Sequence, residues 1–151
     1  MTNNVLYIVV PCFNEQEVLP ATNKQLLVLL DELVKAQAIS PESRVMYVDD
    51  GSTDDTWSII STLCQESPCV TGVRLAANVG HQNALVAGME AAAKRAHLIV
   101  TIDADMQDDC SVVAQMLEQY EAGCDIVYGV RRERKTDSWF KRNTAQAFYK
   151  M

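Results

Sequence analysis

The chain is predicted to fold as an α/β domain with a doubly wound, mostly parallel sheet and helices on both of its faces. Two observations predict this. Short β-branched apolar runs alternate with longer segments of helical period along the whole chain. Three of those runs stop abruptly in a polar or acidic cluster, as strands do where an open α/β sheet presents its ligand-binding end.

The elements follow in order. Residues 5–10 are an apolar run, and Pro11, which lacks an amide donor, is expected to end its ladder. Val18, Leu19, Leu26, Leu27, Leu30, Leu33 and Val34 recur at helical spacing, so a long amphipathic helix is expected to about Gln37. Residues 39–43 are a turn or loop. Residues 44–48 form the second strand and end in Asp49 and Asp50. Gly51 permits a tight turn there. Ser52 or Thr53 is placed to cap the next helix, with Asp54 and Asp55 in its first turn and Trp57, Ile59, Ile60 and Leu63 along it. Capping leaves Asp49 and Asp50 unexplained. Residues 70–75 are a third, weaker strand, and residues 78–81 a turn. The following helix carries Ala84, Gly88 and Ala92 on one stripe, which allows close approach to the sheet. Residues 98–102 are the fourth strand. Val112, Val113, Met116, Leu117 and Tyr120 mark another helix, with Gly123 as its stop. Residues 125–130 read as a fifth strand, then a basic run, then a helix from about Ser138.

The fourth run ends in four aspartates within seven residues: Asp103, Asp105, Asp108 and Asp109. Carboxylates this close repel unless a cation or donors compensate. Asp103 and Asp105 are two apart and can turn toward one point at a strand end. Hard oxygen ligands suit Mg²⁺ or Mn²⁺ rather than Zn²⁺. The pattern therefore fits a divalent metal holding a diphosphate. It equally fits a solvated acidic loop in which Asp108 and Asp109 cap the helix near Ser111.

Composition narrows the class. The chain has 151 residues, 48% of them apolar and 22% charged, which suits one globular domain with a real core. A net charge of −7 argues against nucleic-acid binding. The charge is uneven, since residues 128–151 carry seven Lys/Arg against Glu133 and Asp137. Five cysteines form no Cys-x-x-Cys pair, and no secretory signal precedes them, so a soluble chain in a reduced, cytoplasmic setting is expected. If the first three strands wind one way and the fourth returns beside the first, residues 11–15 meet residues 103–107, with Asp50 one strand further out. No Gly-x-Gly-x-x-Gly follows the first strand and no Gly-x-x-x-x-Gly-Lys occurs, which disfavours dinucleotide oxidoreductases and P-loop enzymes.

Five segments together resemble the family 2 glycosyltransferases of the GT-A fold. They are Val10-Pro11-Cys12-Phe13-Asn14-Glu15, the run from Asp49 to Thr56, Asn78-Val79-Gly80-His81-Gln82, the run from Asp103 to Asp108, and Gly129-Val130-Arg131. Each is weak alone; five in order across the chain are specific. The likeness is greatest to the polyprenyl-phosphate branch, the dolichol-phosphate mannose synthases and bactoprenol glucosyltransferases. The resemblance implies an inverting transfer of sugar from a nucleoside diphosphate donor, of UDP-glucose or GDP-mannose type, to a lipid phosphate. It implies that Pro11, Phe13, Glu15 and Asp50 hold the nucleoside, with Asp103 and Ala104 also lining the nucleotide. Arg131 would meet a phosphate. Asp103, Asp105 and Gln107 would bind Mg²⁺ or Mn²⁺. No catalytic residue is assigned.

Relatives of this kind continue well past 151 residues. The chain is therefore expected to be the N-terminal, donor-binding part of a catalytic domain. The full-length protein is expected at the cytoplasmic face of the membrane, and an open sheet edge would favour self-association. Plainer roles stand beside these. Phe13 could pack in the core, Cys12 be a buried thiol, and His81 orient its turn rather than bind metal. Arg132, Arg134 and Lys135 could form a solvated loop. Transfer to a saccharide acceptor, nucleotidyl transfer and a non-catalytic binding module are the competing functions. Nucleotidyl transfer would call for a Gly-rich basic loop after the first strand, which residues 11–15 lack.

Overall fold

The computed structural model describes residues 4–105 and 110–129. Its elements run β1 (Leu6–Cys12), α1 (Leu19–Lys35), β2 (Arg44–Asp49), α2 (Thr56–Glu66), β3 (Val70–Arg74), α3 (His81–Ala93), β4 (Leu98–Thr101) and α4 (Val112–Glu121). The four strands make one parallel sheet in the order β3-β2-β1-β4. The chain winds outward through β2 and β3, then returns to the far side of β1. The switch point therefore lies between β1 and β4, so the winding that the sequence reading held only as a condition is the one adopted.

Alternation along the strands builds two cores. Leu6, Ile8, Val10 and Cys12 of β1, with Val45 and Tyr47 of β2, pack on one face against Leu19, Leu26, Leu30 and Leu33 of α1, Ile60 of α2, and Val113 and Leu117 of α4. Tyr7 and Val9 of β1, with Met46 and Val48 of β2, pack on the other face against Ala84 and Ala92 of α3. All seven residues of β1 are buried, which is why its run is continuously apolar rather than alternating. α3 lies close to the sheet because its facing stripe is small. A Cβ on Gly88 would sit 2.6 Å from both Val9 Cγ1 and Val48 Cγ2.

Four sequence expectations need correction or narrowing. Pro11 does not end its strand: it pairs in register with Val48, and the ladder runs on to Cys12 and Asp49. Val9 accepts from the Ile102 amide on the β4 side, whereas Cys12 accepts from Asp50 on the β2 side. By that alternation the missing amide of Pro11 faces β4, whose pairing stops at Thr101, so no ladder bond is lost. The second correction concerns α2, which begins at Thr56; neither Ser52 nor Thr53 caps it. Asp54 instead accepts from the Thr56 amide through Oδ1. The third concerns residues 125–129, which form no strand, with Ile126 and Tyr128 72% and 82% exposed. Their apolar pattern gives strand propensity, but a strand exists only where a neighbour's edge supplies hydrogen bonds. β4 also stops one residue earlier than expected.

Helix ends are otherwise as read. After α4, Gly123 at φ +101° closes a pair of bonds, Gly123 N–H to Tyr120 O and Cys124 N–H to Gln119 O. Gln37, at φ +58°, closes α1 in the same way through Val34 and Leu33. Among the described residues, no helix is long and apolar enough to cross a membrane. The expected helix from Ser138, and the basic segment with it, lies outside the described residues.

Candidate functional site

Loops at the carboxyl ends of β1, β2 and β4 meet beside the switch point, and those after β1 and β2 are held by each other's side chains. The backbone amide of Asn14 donates to Ser52 Oγ, that of Glu15 to Thr56 Oγ1, and that of Gln16 to Asp54 Oδ2. In return, Asn14 Oδ1 accepts from Thr53 N–H at 2.9 Å and Gln16 Oε1 from Asp55 N–H at 3.0 Å. The Ser and Thr residues that sequence reading offered as helix caps thus fasten the loop after β1. Asn14 takes a left-handed backbone, φ +56°, at this junction. Gly51 does so too, at φ +68°, where a Cβ would lie 2.5 Å from the Asn78 amide nitrogen.

Asp49 and Asp50, the acids left unexplained by capping, are both buried. Asp49 Oδ1 accepts from the Ser52 amide, and Asp49 Oδ2 lies 3.4 Å from Arg74 Nε. That second contact is an ion pair rather than a well-aligned hydrogen bond, since Oδ2 has no hydrogen-bond partner. The Arg74 guanidinium also lies over the Trp57 ring, 5.6 Å from its centre. Asp50 Oδ1 accepts from Val79 N–H at 2.7 Å, and Asp50 Oδ2 from Gly80 N–H at 3.0 Å. Asp50 therefore clamps the turn that leads into α3. A cleft of about 470 Å³ opens beside it, lined by Gly51, Ser52, Arg74, Leu75, Ala76 and Ala77.

The end of β4 supplies the exposed acids. Asp103 and Asp105 both face solvent, while Ala104 between them is buried. The Ala104 carbonyl accepts from Thr22 Oγ1 of α1 at 2.6 Å, which anchors the Asp-Ala-Asp loop. Glu15 reaches the same place from β1. Its carboxyl is held above the ordinary range, first by partial burial and then by the negative charges of Asp105, Asp54 and Asp103. His81, the first residue of α3, brings its Nε2 to 3.7 Å from Asp103 Oδ1. Sequence reading had His81 orient its own turn; in the structure its ring faces the acids of β4. Neither Thr22 nor Arg74 was singled out from sequence. The one available signal was topological, because every loop after a strand, and every helix N-terminus, lies at this end of the sheet.

The remaining expected site residues fall as follows. Pro11 is buried in β1, and Phe13 is 44% exposed, so Phe13 is not core packing. Cys12 is a buried thiol, with burial first and then Glu15 and Asp49 pushing its pKa far above the usual value. Gln107 and Arg131 lie outside the described residues.

The family model for glycosyl transferase family 2 matches residues 7–150. The chain belongs to glycosyl transferase family 2. It is 50% identical over 147 residues to YkoT of Bacillus subtilis, described as an uncharacterized glycosyltransferase, covering 97% of this chain and 44% of that one. It is 37% identical over 145 residues to the bactoprenol glucosyl transferase of Shigella phage SfV, covering 95% of this chain and 44% of that one. The chain thus spans less than half the length of these family 2 relatives. Among solved structures, Staphylococcus aureus TarS 1-349 in complex with UDP superposes with a TM-score of 0.52 at 17% identity, over 85% of this chain and 40% of that one. That likeness shows the GT-A fold.

Proposed function

We propose that this chain is the donor-binding part of a family 2 glycosyltransferase that moves a sugar from a nucleoside diphosphate to a polyprenyl phosphate, with inversion. The observation that carries it is the meeting of Glu15, Asp103 and Asp105 at the switch point of the sheet, with the cleft by Asp50 alongside. The bactoprenol glucosyl transferase relative supports a lipid phosphate acceptor. The UDP in the TarS structure supports a uridine nucleotide as donor.

A divalent cation fits these residues. Two exposed carboxylates are hard oxygen donors, and Glu15, whose pKa is raised first by burial and then by the charges of Asp105, Asp54 and Asp103, adds a third carboxyl nearby. Asp103 and Asp105, with Gln107 beyond the described loop, would hold Mg²⁺ or Mn²⁺. Bound there, the ion would neutralise charge building on the departing diphosphate. The chain's own residues do the rest. Exposed Phe13 offers a ring face to a base, and Glu15 can accept from a ribose hydroxyl. Pro11 and buried Ala104 hold close-packed walls under the nucleotide. Asp50 shapes the nucleoside side of the cleft through the turn it clamps, and Arg131 is assigned a donor phosphate. A lipid phosphate is an oxyanion already at neutral pH, so attack on the anomeric carbon asks little of a general base.

Titration calorimetry with UDP-, GDP- and CMP-sugars, with and without Mn²⁺, tests donor binding. One nucleotide class is expected to bind, with affinity dependent on the metal, and Asp105→Asn is expected to remove that dependence. EDTA that leaves UDP and GDP affinity unchanged would show the metal assignment to be wrong. Transfer from radiolabelled UDP-glucose to undecaprenyl phosphate, measured for this chain and for a protein of the relatives' full length, tests the reaction.

A further inference from the structure

We propose that Thr22, near the start of α1, is a positioning residue for donor binding: its buried hydroxyl holds the loop after β4 and so sets where Asp103 and Asp105 stand relative to Glu15. The inference rests on the donor-binding reading above, with or without a cation.

The proton of one hydroxyl decides the arrangement. Thr22 is 2% exposed, and its Oγ1 has two acceptors within reach, Ala104 O at 2.6 Å and Val18 O at 3.2 Å. It carries a single hydrogen to give. Val18 O already accepts from the amides of Ala21 and Thr22. Back-bonding to that carbonyl, the ordinary habit of a helical threonine, would therefore satisfy nothing new. Ala104 is 3% exposed, and a carbonyl buried there costs free energy unless it is paired. The shorter bond takes the proton, and it spans 82 residues of sequence.

That bond falls on the residue that matters. β4 pairs with β1 as far as Thr101, and the Ile102 amide still donates to Val9 O. Two residues on, Ala104 joins the core that α1 and α4 share with the sheet, while Asp103 and Asp105 on either side of it are exposed. A buried methyl and a bonded carbonyl on the middle residue fix the two carboxylates that flank it. Thr22 itself donates from a fixed point. Its neighbour Asn23 accepts from Tyr47 Oη of β2 at 3.1 Å, and both side chains are buried. α1 begins directly behind the β1 loop, where the Glu15 carbonyl accepts from the Val18 and Leu19 amides. That loop is fastened in turn to Ser52 and Thr56. The ends of β1, β2 and β4 are thus all referred to one helix. The simpler account is that Thr22 only satisfies a buried carbonyl. It would then stabilise the fold and leave ligand affinity alone, so the two accounts part in a measurement.

The experiment is titration calorimetry of the 151-residue chain with UDP-glucose and with GDP-mannose, beside four variants. Circular dichroism melts would confirm that each is folded at the titration temperature. Thr22→Val keeps the shape and loses the donor, and the loop must then be ordered when the ligand binds. Its affinity should fall about three- to tenfold, the net contribution of one hydrogen bond. Thr22→Ser keeps the hydroxyl and should bind as the parent does. Leu33→Val thins the core at the far end of α1, so it should lower the melting temperature without moving affinity. Asp103→Asn should weaken binding. Parent affinity in Thr22→Val, with binding weakened in Asp103→Asn, would overturn the positioning role and leave the donor site standing. An equal loss in Leu33→Val and Thr22→Val would also overturn it, since general stability would then be the cause. A parent chain that binds neither nucleotide sugar would overturn the donor reading and the role of Thr22 with it.

Discussion

Asp50 offers the sharpest test of how this site is built. Replacing it with Ala removes the acceptor of two bonds, 2.7 Å from Val79 N–H and 3.0 Å from Gly80 N–H. A hydrogen bond to a charged group contributes about 1.5–3 kcal/mol, so the pair would contribute about 3–6. The carboxylate is buried, but both amides are only part-buried, and once freed they recover water. About 2–4 kcal/mol is the expected loss. Asp50→Asn should lose roughly half of that, since its amide oxygen keeps one bond while its NH₂ faces the other donor. Urea denaturation gives the total, and hydrogen exchange gives the location: the Val79 and Gly80 amides should lose protection in Asp50→Ala while β1 amides keep theirs. Nucleotide affinity should fall as well, through the displaced turn, whereas the metal dependence of binding should persist. Unchanged urea midpoint and unchanged exchange at Val79 and Gly80 would refute the clamp.

Three further outcomes are expected. Gly88→Ala gains about 1 kcal/mol of helix propensity, but its Cβ meets two fully buried valines at 2.6 Å. Overpacking of about 1–3 kcal/mol should outweigh that gain, and a raised melting temperature would contradict the close seating of α3. Arg74→Ala leaves Asp49 buried without its cation. With Arg74 half-exposed the cost should be about 1–2 kcal/mol rather than the full cost of a broken interior pair, and Asp49→Asn in the same background should restore part of it, as a double-mutant cycle would show. Glu15 has a raised folded-state pKa, so the native state holds its proton more tightly than the unfolded chain does. Stability from this group is full below the ordinary glutamate pKa and is lost as pH rises through the folded value. In metal-free buffer, Glu15→Gln should flatten that decline as pH rises above the ordinary glutamate range; equal slopes in variant and parent would exclude it.

Local chemistry in the chain was enough to determine the alternation of strands and helices, the small stripe of α3, the Gly123 stop and the acidic strand ends. Each depends on period, propensity or backbone conformation within a few neighbours. The winding was only one of the few arrangements that right-handed crossovers allow, and the tertiary structure chose it. Only the tertiary structure decided what the polar side chains do once the strand ends meet. Ser52 and Thr53 were as able to cap a helix as to hold residue 14, and the nearness of the β1 loop, 38 and 39 residues away in sequence, settled it. Asp50 reads as a free ligand until the turn before α3 is placed against it, and His81 as a turn residue until β4 arrives beside α3. Residues 125–129 have the pattern of a strand yet pair with no strand among the described residues. Pro11 reads as a terminator until its missing amide is seen to face the side where β4 has already ended. A partner brought from far along the chain leaves no periodic trace, so these roles become visible only when the sheet is assembled.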